Sequence, residues 1–280
     1  MPATVEDLID LFTLAEVGTG KFRGPQPNTT WQRLFGGQVM AQTLVAAMRT
    51  VAPSRQLHSL HGYFLRPGSK EESLRFEVEH VRDGRTFSAR RVTTRQHDDV
   101  IFDLNASFQE PEKGLSHGAA QPDGVPGPKS CPQLGEVLEK RFGAPVRMLA
   151  EWDALDVRLA GAPTPTPDGG VMRAWVRTQG ELPDEPWLHT AILAYLTDVL
   201  LLSVSTVQHE VEFLSPAMQA ASIDHAMWFH RPVRCDRWLL YDMVSPSASG
   251  ARGYCQGRLF QDGQLVASCA QEGLIRIVEE

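Results

Sequence analysis

The chain has 280 residues, 42% apolar and 22% charged, a composition that builds one large core or two ordinary ones and excludes wholesale disorder. Its net charge of -7 excludes a general nucleic-acid binder, which would be basic, but leaves room for local arginines that hold a phosphate. Cys131, Cys235, Cys255 and Cys269 form no C-x-x-C pair, so they read as free thiols in a reducing compartment.

The acidic start, Met1 to Asp7, lacks the basic region of a signal or transit peptide, and a cytoplasmic location is expected. Residues 5–17 predict an amphipathic helix that packs through Leu8, Ile9, Leu11 and Phe12. Gly36-Gly37 then opens a helix over residues 38–51, with Val39, Met40, Leu44, Val45 and Met48 at helical spacing. Strand-like runs follow over 74–81, 86–95 and 100–109, separated by Asp83-Gly84 and Asp98-Asp99 turns. Residues 111–132 are rich in Pro and Gly and read as a connector. A short helix is predicted over 134–141, strands over 152–159 and 171–177, and a turn-rich loop over 163–170 between them. A second helix, 188–202, is apolar nearly all round and therefore buried. The most apolar stretch of the chain, 190–204, is too short to span a bilayer and carries Asp198 near its middle, so no membrane span is expected. Three more strands are predicted over 238–244, 250–260 and 264–277.

The two halves repeat each other. Tyr63-Phe64-Leu65-Arg66-Pro67 answers Trp228-Phe229-His230-Arg231-Pro232, and each is preceded by an apolar helix and followed by three strands. The fold expected is α+β: two tandem hotdog domains, each an antiparallel sheet wrapped around a helix, with the sheets side by side. The expected division is residues 1–111, a connector over 112–145, and 146–280.

Several segments carry a more specific likeness. They include Phe22-Arg23-Gly24, Phe35-Gly36-Gly37-Gln38, Tyr63 to Pro67, Asp83 to Arg91 and Ala106-Ser107-Phe108-Gln109. In the second half they are Tyr195-Leu196-Thr197-Asp198, Ile223 to Pro232 and Gln271-Glu272-Gly273. In this order the chain resembles the type II acyl-CoA thioesterases, the TesB-like double hotdogs. The resemblance implies hydrolysis of fatty acyl-CoA without metal, cofactor or covalent intermediate, coenzyme A being part of the substrate. It also implies a homo-oligomer and a reactive set of Asp198, Ser222 and Gln271. Many relatives carry Thr where this chain has Ser222; the hydroxyl is kept, but the rigidity of a branched side chain is not.

The residue types suit that chemistry. Asp198 interrupts a run of Leu, Val and Ala, and an ionised carboxylate is costly to bury without partners. On strand alternation Ser222 shares a face with Asp224, Ala226 and Trp228, while Gln271 closes the last long strand. Together an acid, a hydroxyl and an amide can hold a water against a thioester carbonyl, with the acid taking its proton. Gly36, Gly37 and Gln38 offer helix N-terminal amides for the oxyanion or substrate. Arg66, Arg90, Arg91, Arg231 and Arg252 are candidates for the coenzyme A phosphates. In the first half Leu57 falls opposite Ser222 and the helix holds no acid; Gln109 alone appears as a counterpart, to Gln271.

Other readings are weaker. Gly114-Leu115-Ser116-His117-Gly118 fits G-x-S-x-G, but the residues after it cannot form the helix that a nucleophile elbow requires. His58 with His61, and His225 with His230, lack metal-ligand spacing on a strand. His189 and Asp198 are too far apart for a hydratase pair. A non-catalytic acyl-CoA binding protein is the alternative function, against which the intact acid, hydroxyl and amide argue.

Overall fold

The computed structural model describes residues 2–143, 152–209, 211–213 and 215–278. The expected boundary at 145/146 lies outside them. The first half runs α1 (Val5–Leu11), β1 (Ala15–Gly18), β2 (Lys21–Arg23), α2 (Gly36–Met48), β3 (Gln56–Phe64), β4 (Arg75–Asp83), β5 (Phe87–Gln96) and β6 (Asp99–Gln109). The second runs α3 (Leu134–Phe142), β7 (Leu155–Leu159), β8 (Thr164–Thr166), β9 (Gly169–Thr178) and α4 (Pro186–Thr197). It continues with a 3-10 segment Leu201–Thr206, then β10 (Met218–Ser222), β11 (Asp224–Phe229), β12 (Leu239–Ser249), β13 (Arg252–Gln261) and β14 (Gln264–Ile277).

One antiparallel sheet of 14 strands joins both halves, in the order β1-β2-β4-β5-β6-β3-β11-β14-β13-β12-β9-β7, with β10 on β14 and β8 on β9. The seam is β3 against β11, from Asp224↔Tyr63 to Trp228↔Ser59. The offset that carries Arg66 onto Arg231 carries His61 onto Ala226, and those two residues pair at the seam. The repeat is therefore a pseudo-two-fold in space, and the fold is a double hotdog.

Several contacts repeat under the same offset. Arg66 donates to the Val100 carbonyl at 2.8 Å and Arg231 to that of Leu265 at 2.7 Å. Gln96 brackets the Ser69 backbone as Gln261 brackets that of Arg234. The Arg-Pro motifs thus close the strand ends; they are structural devices before they are anything else.

Helices α2 and α4 pack against each other under the sheet. Every residue of α2 from Gly37 to Ala47 is buried, so its polar side chains need partners. Gln42 donates to the Leu11 and Pro25 carbonyls at 2.7 and 3.0 Å, and the hydroxyls of Thr43 and Thr94 meet at 2.7 Å.

Three elements differ from expectation. Helix α1 is capped by a Thr4/Asp7 box and stops at Leu11. The residues predicted to extend it form β1 instead, because Gly20, at φ +66°, turns the chain back into β2. The 163–170 loop contains β8, paired to β9. Helix α4 ends at Thr197, with Asp198 as its C-cap rather than its middle. By length and composition the 21 residues Pro186–Thr206 could cross a bilayer, contrary to the length argument, but 78% of the most apolar window is buried in the core.

Gly62 sits on the seam, where an added Cβ would overlap the Phe102 ring and lie 3.1 Å from Leu104. Phe102 is itself fully buried and held against Phe64, ring centroids 4.5 Å apart, so it has nowhere to go. Gly62→Ala should lower the unfolding free energy by about 1–3 kcal/mol, the usual cost of overpacking. Urea denaturation measures this directly, and an unchanged midpoint would show that the seam can relax.

Candidate active site

Helix α4 delivers Asp198 to the place where α2 begins. Asp198 is only 4% exposed in its side chain, and two side chains converge on it. Ser222 Oγ donates to Asp198 Oδ1 at 3.2 Å. Gln271 Nε2 donates to the same oxygen at 2.7 Å and to Ser222 Oγ at 2.7 Å. The single hydroxyl proton of Ser222 goes to the acid while its lone pair takes the amide, so every donor in the triangle is used consistently.

The start of α2 completes the cradle. The Gly37 amide bonds the Asp198 carboxylate. A Cβ at Gly36 would lie 2.7 Å from Asp198 Oδ2, and one at Gly37 2.7 Å from the Tyr195 carbonyl, so both glycines are dictated by close approach. Helix α2 carries no acid in its own first turn and no side-chain cap. Asp198 supplies the negative charge its amides favour. Gln38 turns elsewhere, its Nε2 3.4 Å from Gln42 Oε1, and it does not reach the acid.

Ser222 faces the acid because of a bulge. Ser222 pairs with Gly273 and Ala226 with Ala270, so one strand advances four residues while its partner advances three. The extra residue, at Ile223, reverses the alternation. Ser222 therefore lies on the inner face with His225 and Met227, not with Asp224 and Trp228 as plain alternation predicts. The same bulge recurs at His58, between Leu57↔Phe108 and Ser59↔Ser107. Gln271 lies in mid-strand and is buried, opposite Cys255, rather than at a strand end.

Burial pushes the Asp198 carboxyl up to about 6, against the pull of the bonds from Gln271, Ser222 and Gly37. Its position at the negative end of α4 is unfavourable to the anion as well. One neighbour was not anticipated as part of the site. His225 is fully buried, with Nδ1 4.0 Å from Asp198 Oδ1. Burial lowers its imidazole to about 4, so it is neutral at pH 7 and makes no ion pair at that distance. The available signal was its place on the same strand face as Met227, inside the core.

The acid opens into a cavity of about 1300 Å³, large enough for a long ligand. Its walls include Val39, Phe64, Leu138, Trp152, Val199 and Met218. Gln271 reaches this site through its amide, while it also borders a smaller cavity of about 550 Å³.

The other candidates stand apart. Arg66 lines the cavity but pairs with Asp99, and Arg90 is buried on Asp83. Arg91 pairs with Asp103, Arg252 with Glu272, and Arg231 holds the carbonyls of Leu265 and His117. Ser116 lies in exposed chain that belongs to no strand or helix. His189 Nδ1 accepts from the Cys235 amide, at the far end of α4 from Asp198. Among the described residues no group of three His, Cys, Asp or Glu is arranged to hold a metal.

The chain is similar to known proteins over its whole length. Residues 154–274 match the family described as acyl-CoA thioesterase, and residues 25–109 its N-terminal domain. Acyl-CoA thioesterase 2 of Haemophilus influenzae is 37% identical, each chain covered fully. Human acyl-coenzyme A thioesterase 8 is 37% identical over 91% of this chain and 84% of its own. A crystal structure of an acyl-CoA thioesterase II from Mycobacterium marinum superposes with a TM-score of 0.83 at 41% identity, covering 96% of this chain and 98% of the other.

The raised carboxyl makes a stability prediction. A group that binds its proton more tightly when folded contributes fully below its unfolded pKa, ordinarily 3.8, and loses that contribution as pH rises through about 6. The loss amounts to about 3 kcal/mol by linkage. Asp198→Asn cannot ionise, so its stability relative to wild type should rise between pH 4 and 7 and then level off. A difference that stays flat across that range in chemical denaturation would refute the raised carboxyl.

Proposed function

The chain belongs to the acyl-CoA thioesterase II family, and from that premise we propose that it hydrolyses fatty acyl-CoA with water activated by Asp198, Ser222 and Gln271. It is a thioester hydrolase; the fatty acyl preference and the residue roles are the proposal. The observation that carries it is the convergence of a serine hydroxyl and a glutamine amide on one buried carboxylate at the wall of a largely apolar cavity of about 1300 Å³.

The chemistry balances simply. The water oxygen bonds the thioester carbonyl carbon while Asp198 accepts one water proton. Gln271 holds the carboxylate and the Ser222 hydroxyl in place through its amide, and the other water proton stays on the attacking oxygen. The oxyanion forms beside the first turn of α2, where Gly36 borders the cavity and no side chain blocks approach. Collapse breaks the carbon–sulfur bond, and the proton on Asp198 passes to the leaving thiolate. Apolar walls hold the acyl chain and keep bulk water away from the acid, which keeps its proton affinity high.

Each chain has one such site. Under the repeat, β3 with β6 takes the place of β10 and β11 with β14. Leu60 pairs with Ala106 in the first half, and the same offset carries these onto His225 and Gln271. Ala106, not Gln109, therefore stands where Gln271 stands, and Leu57 stands for Ser222. Gln109 instead ends β6 and donates to Glu112 at 3.3 Å. A pseudo-site with neither hydroxyl nor amide, on a helix without an acid, cannot activate water this way.

Asp198→Asn should lower kcat by about two to four orders of magnitude with KM little changed. In the wild type kcat/KM should rise with pH through a midpoint near 6, following the Asp198 carboxyl. Ser222→Thr should stay active and Ser222→Ala should not, since only the hydroxyl is required. Steady-state thiol release from acyl-CoA measures all three. Near-wild-type turnover by a folded Asp198→Asn protein would overturn the mechanism.

Gln271→Ala should abolish most activity, while Gln109→Ala should remain within about twofold of wild type, because Gln109 is a surface strand-end contact. Equal losses from both in folded protein would mean two working sites.

A further inference from the structure

The neutral histidine beside the acid has a defined tautomer. Thr197 Oγ1 lies 2.8 Å from the Ala194 carbonyl, 3.1 Å from His225 Nε2 and 3.5 Å from Met227 Sδ. A hydroxyl has one proton, and the carbonyl is both the nearest and the strongest acceptor of the three. The hydroxyl oxygen then accepts from His225, so the imidazole proton belongs on Nε2. Nδ1 is left as a bare acceptor. It is buried, has no partner, and lies 4.0 Å from Asp198 Oδ1.

We propose that His225 is a positioning residue for hydrolysis: its unprotonated Nδ1, set toward Asp198 by Thr197, provides a second acceptor for the proton that Asp198 takes from the attacking water. The inference rests on Asp198 acting as the base. No covalent bond to His225 is made or broken. The water O–H breaks as the oxygen–carbon bond forms, the proton rests on the Asp198 carboxyl, and a rotation of the carboxyl that gives up the longer bond, from Ser222 at 3.2 Å, lets the proton hydrogen-bond Nδ1. It leaves for the thiolate when the carbon–sulfur bond breaks.

The arrangement acts on the acid in both of its states. With Asp198 ionised, a lone pair rather than a donor faces Oδ1, so the carboxylate gains nothing from His225. With Asp198 protonated, the proton has a partner. Both effects make the carboxyl a stronger base, in the same direction as its burial. The alternative tautomer would reverse the sign, because an Nδ1–H would hold the carboxylate ionised and weaken it. Thr197 therefore sets the strength of the base from the residue beside it.

Other ionisable groups near the pair are accounted for. Asp224 is the neighbour of His225 on β11 and pairs with His61 of β3 at 3.0 Å on the outer face of the sheet. On β12, Tyr241 donates to the Thr197 carbonyl at 2.8 Å, and its hydroxyl is held well above its usual range by burial. Cys269 on β14 and Cys255 on β13 are pushed up to about 12 and 11 by burial. These three stay neutral between pH 5 and 9, so none of them titrates with the acid. Met227 and Ala194 carry no charge.

The test is Thr197→Val, which keeps the shape and removes the hydroxyl. Nε2 then has no acceptor, the imidazole proton moves to Nδ1, and Asp198 is held ionised. The midpoint of the kcat/KM profile should fall by about one pH unit, with plateau kcat down about three- to tenfold and KM within about twofold. Thr197→Ser should return the midpoint to the wild-type value. Nitrogen NMR of histidine-labelled wild-type protein should show His225 neutral and protonated at Nε2 at pH 7, and this reading needs no variant to fold. An Nδ1–H or imidazolium signal would overturn the proposal. So would an unshifted midpoint in folded Thr197→Val. Either result alongside an inactive Asp198→Asn would remove the role of His225 while leaving the base in place; an active Asp198→Asn would remove both.

Discussion

The meeting of two helix ends on one buried carboxylate is the constraint around which the rest is arranged. Asp198 closes α4, where the helix field opposes a negative charge, and faces the start of α2, where it favours one. An ionised acid at that depth is tolerated only because Ser222, Gln271 and the Gly37 amide all donate to it. That requirement in turn demands glycine at 36 and 37, since any Cβ would strike the acid or the Tyr195 carbonyl. Aromatic rings wall the same junction, with Phe35 packed on both Tyr195 and Trp152 at centroid distances of 5.0 and 5.3 Å.

The duplicated architecture uses equivalent positions for opposite purposes. In the first half the buried Arg90 sends its guanidinium to the carbonyl and hydroxyl of Thr50, just past the end of α2. A cation at a helix C-terminus is electrostatically favourable, and Asp83 neutralises it at 2.7 Å. In the second half the offset puts Cys255 where Arg90 stands, and the end of α4 carries an acid instead. One half therefore has a relaxed helix terminus and the other a costly one. The bulge at His58 survives beside Leu57 although that position has no hydroxyl to aim, so the bulge belongs to the fold and the site exploits it.

Much of this was legible because it depends on local rules. Helical spacing in 38–51, turn residues such as Asp83-Gly84, and the paired Arg-Pro motifs all report backbone geometry that near neighbours enforce. The repeat was readable because the same contacts, Arg66 on Val100 and Arg231 on Leu265, require the same residues. The face of Ser222 was misread because it hinges on a bulge, and a single inserted residue reverses every side chain beyond it.

By itself the sequence determined the double repeat, the α+β class, the burial of the second helix and the oddity of an acid in its apolar run. Those follow from composition and periodicity, which act over a few residues. Only the tertiary structure decided that Asp198, Ser222 and Gln271 share one hydrogen-bonded triangle, that Gly37 rather than Gln38 attends the acid, and that His225 stands beside it with an unpartnered nitrogen. These relations join residues far apart in the chain, across α2, α4, β10, β11 and β14. Their distances are set by sheet register and helix packing, and no local pattern in the chain encodes a register.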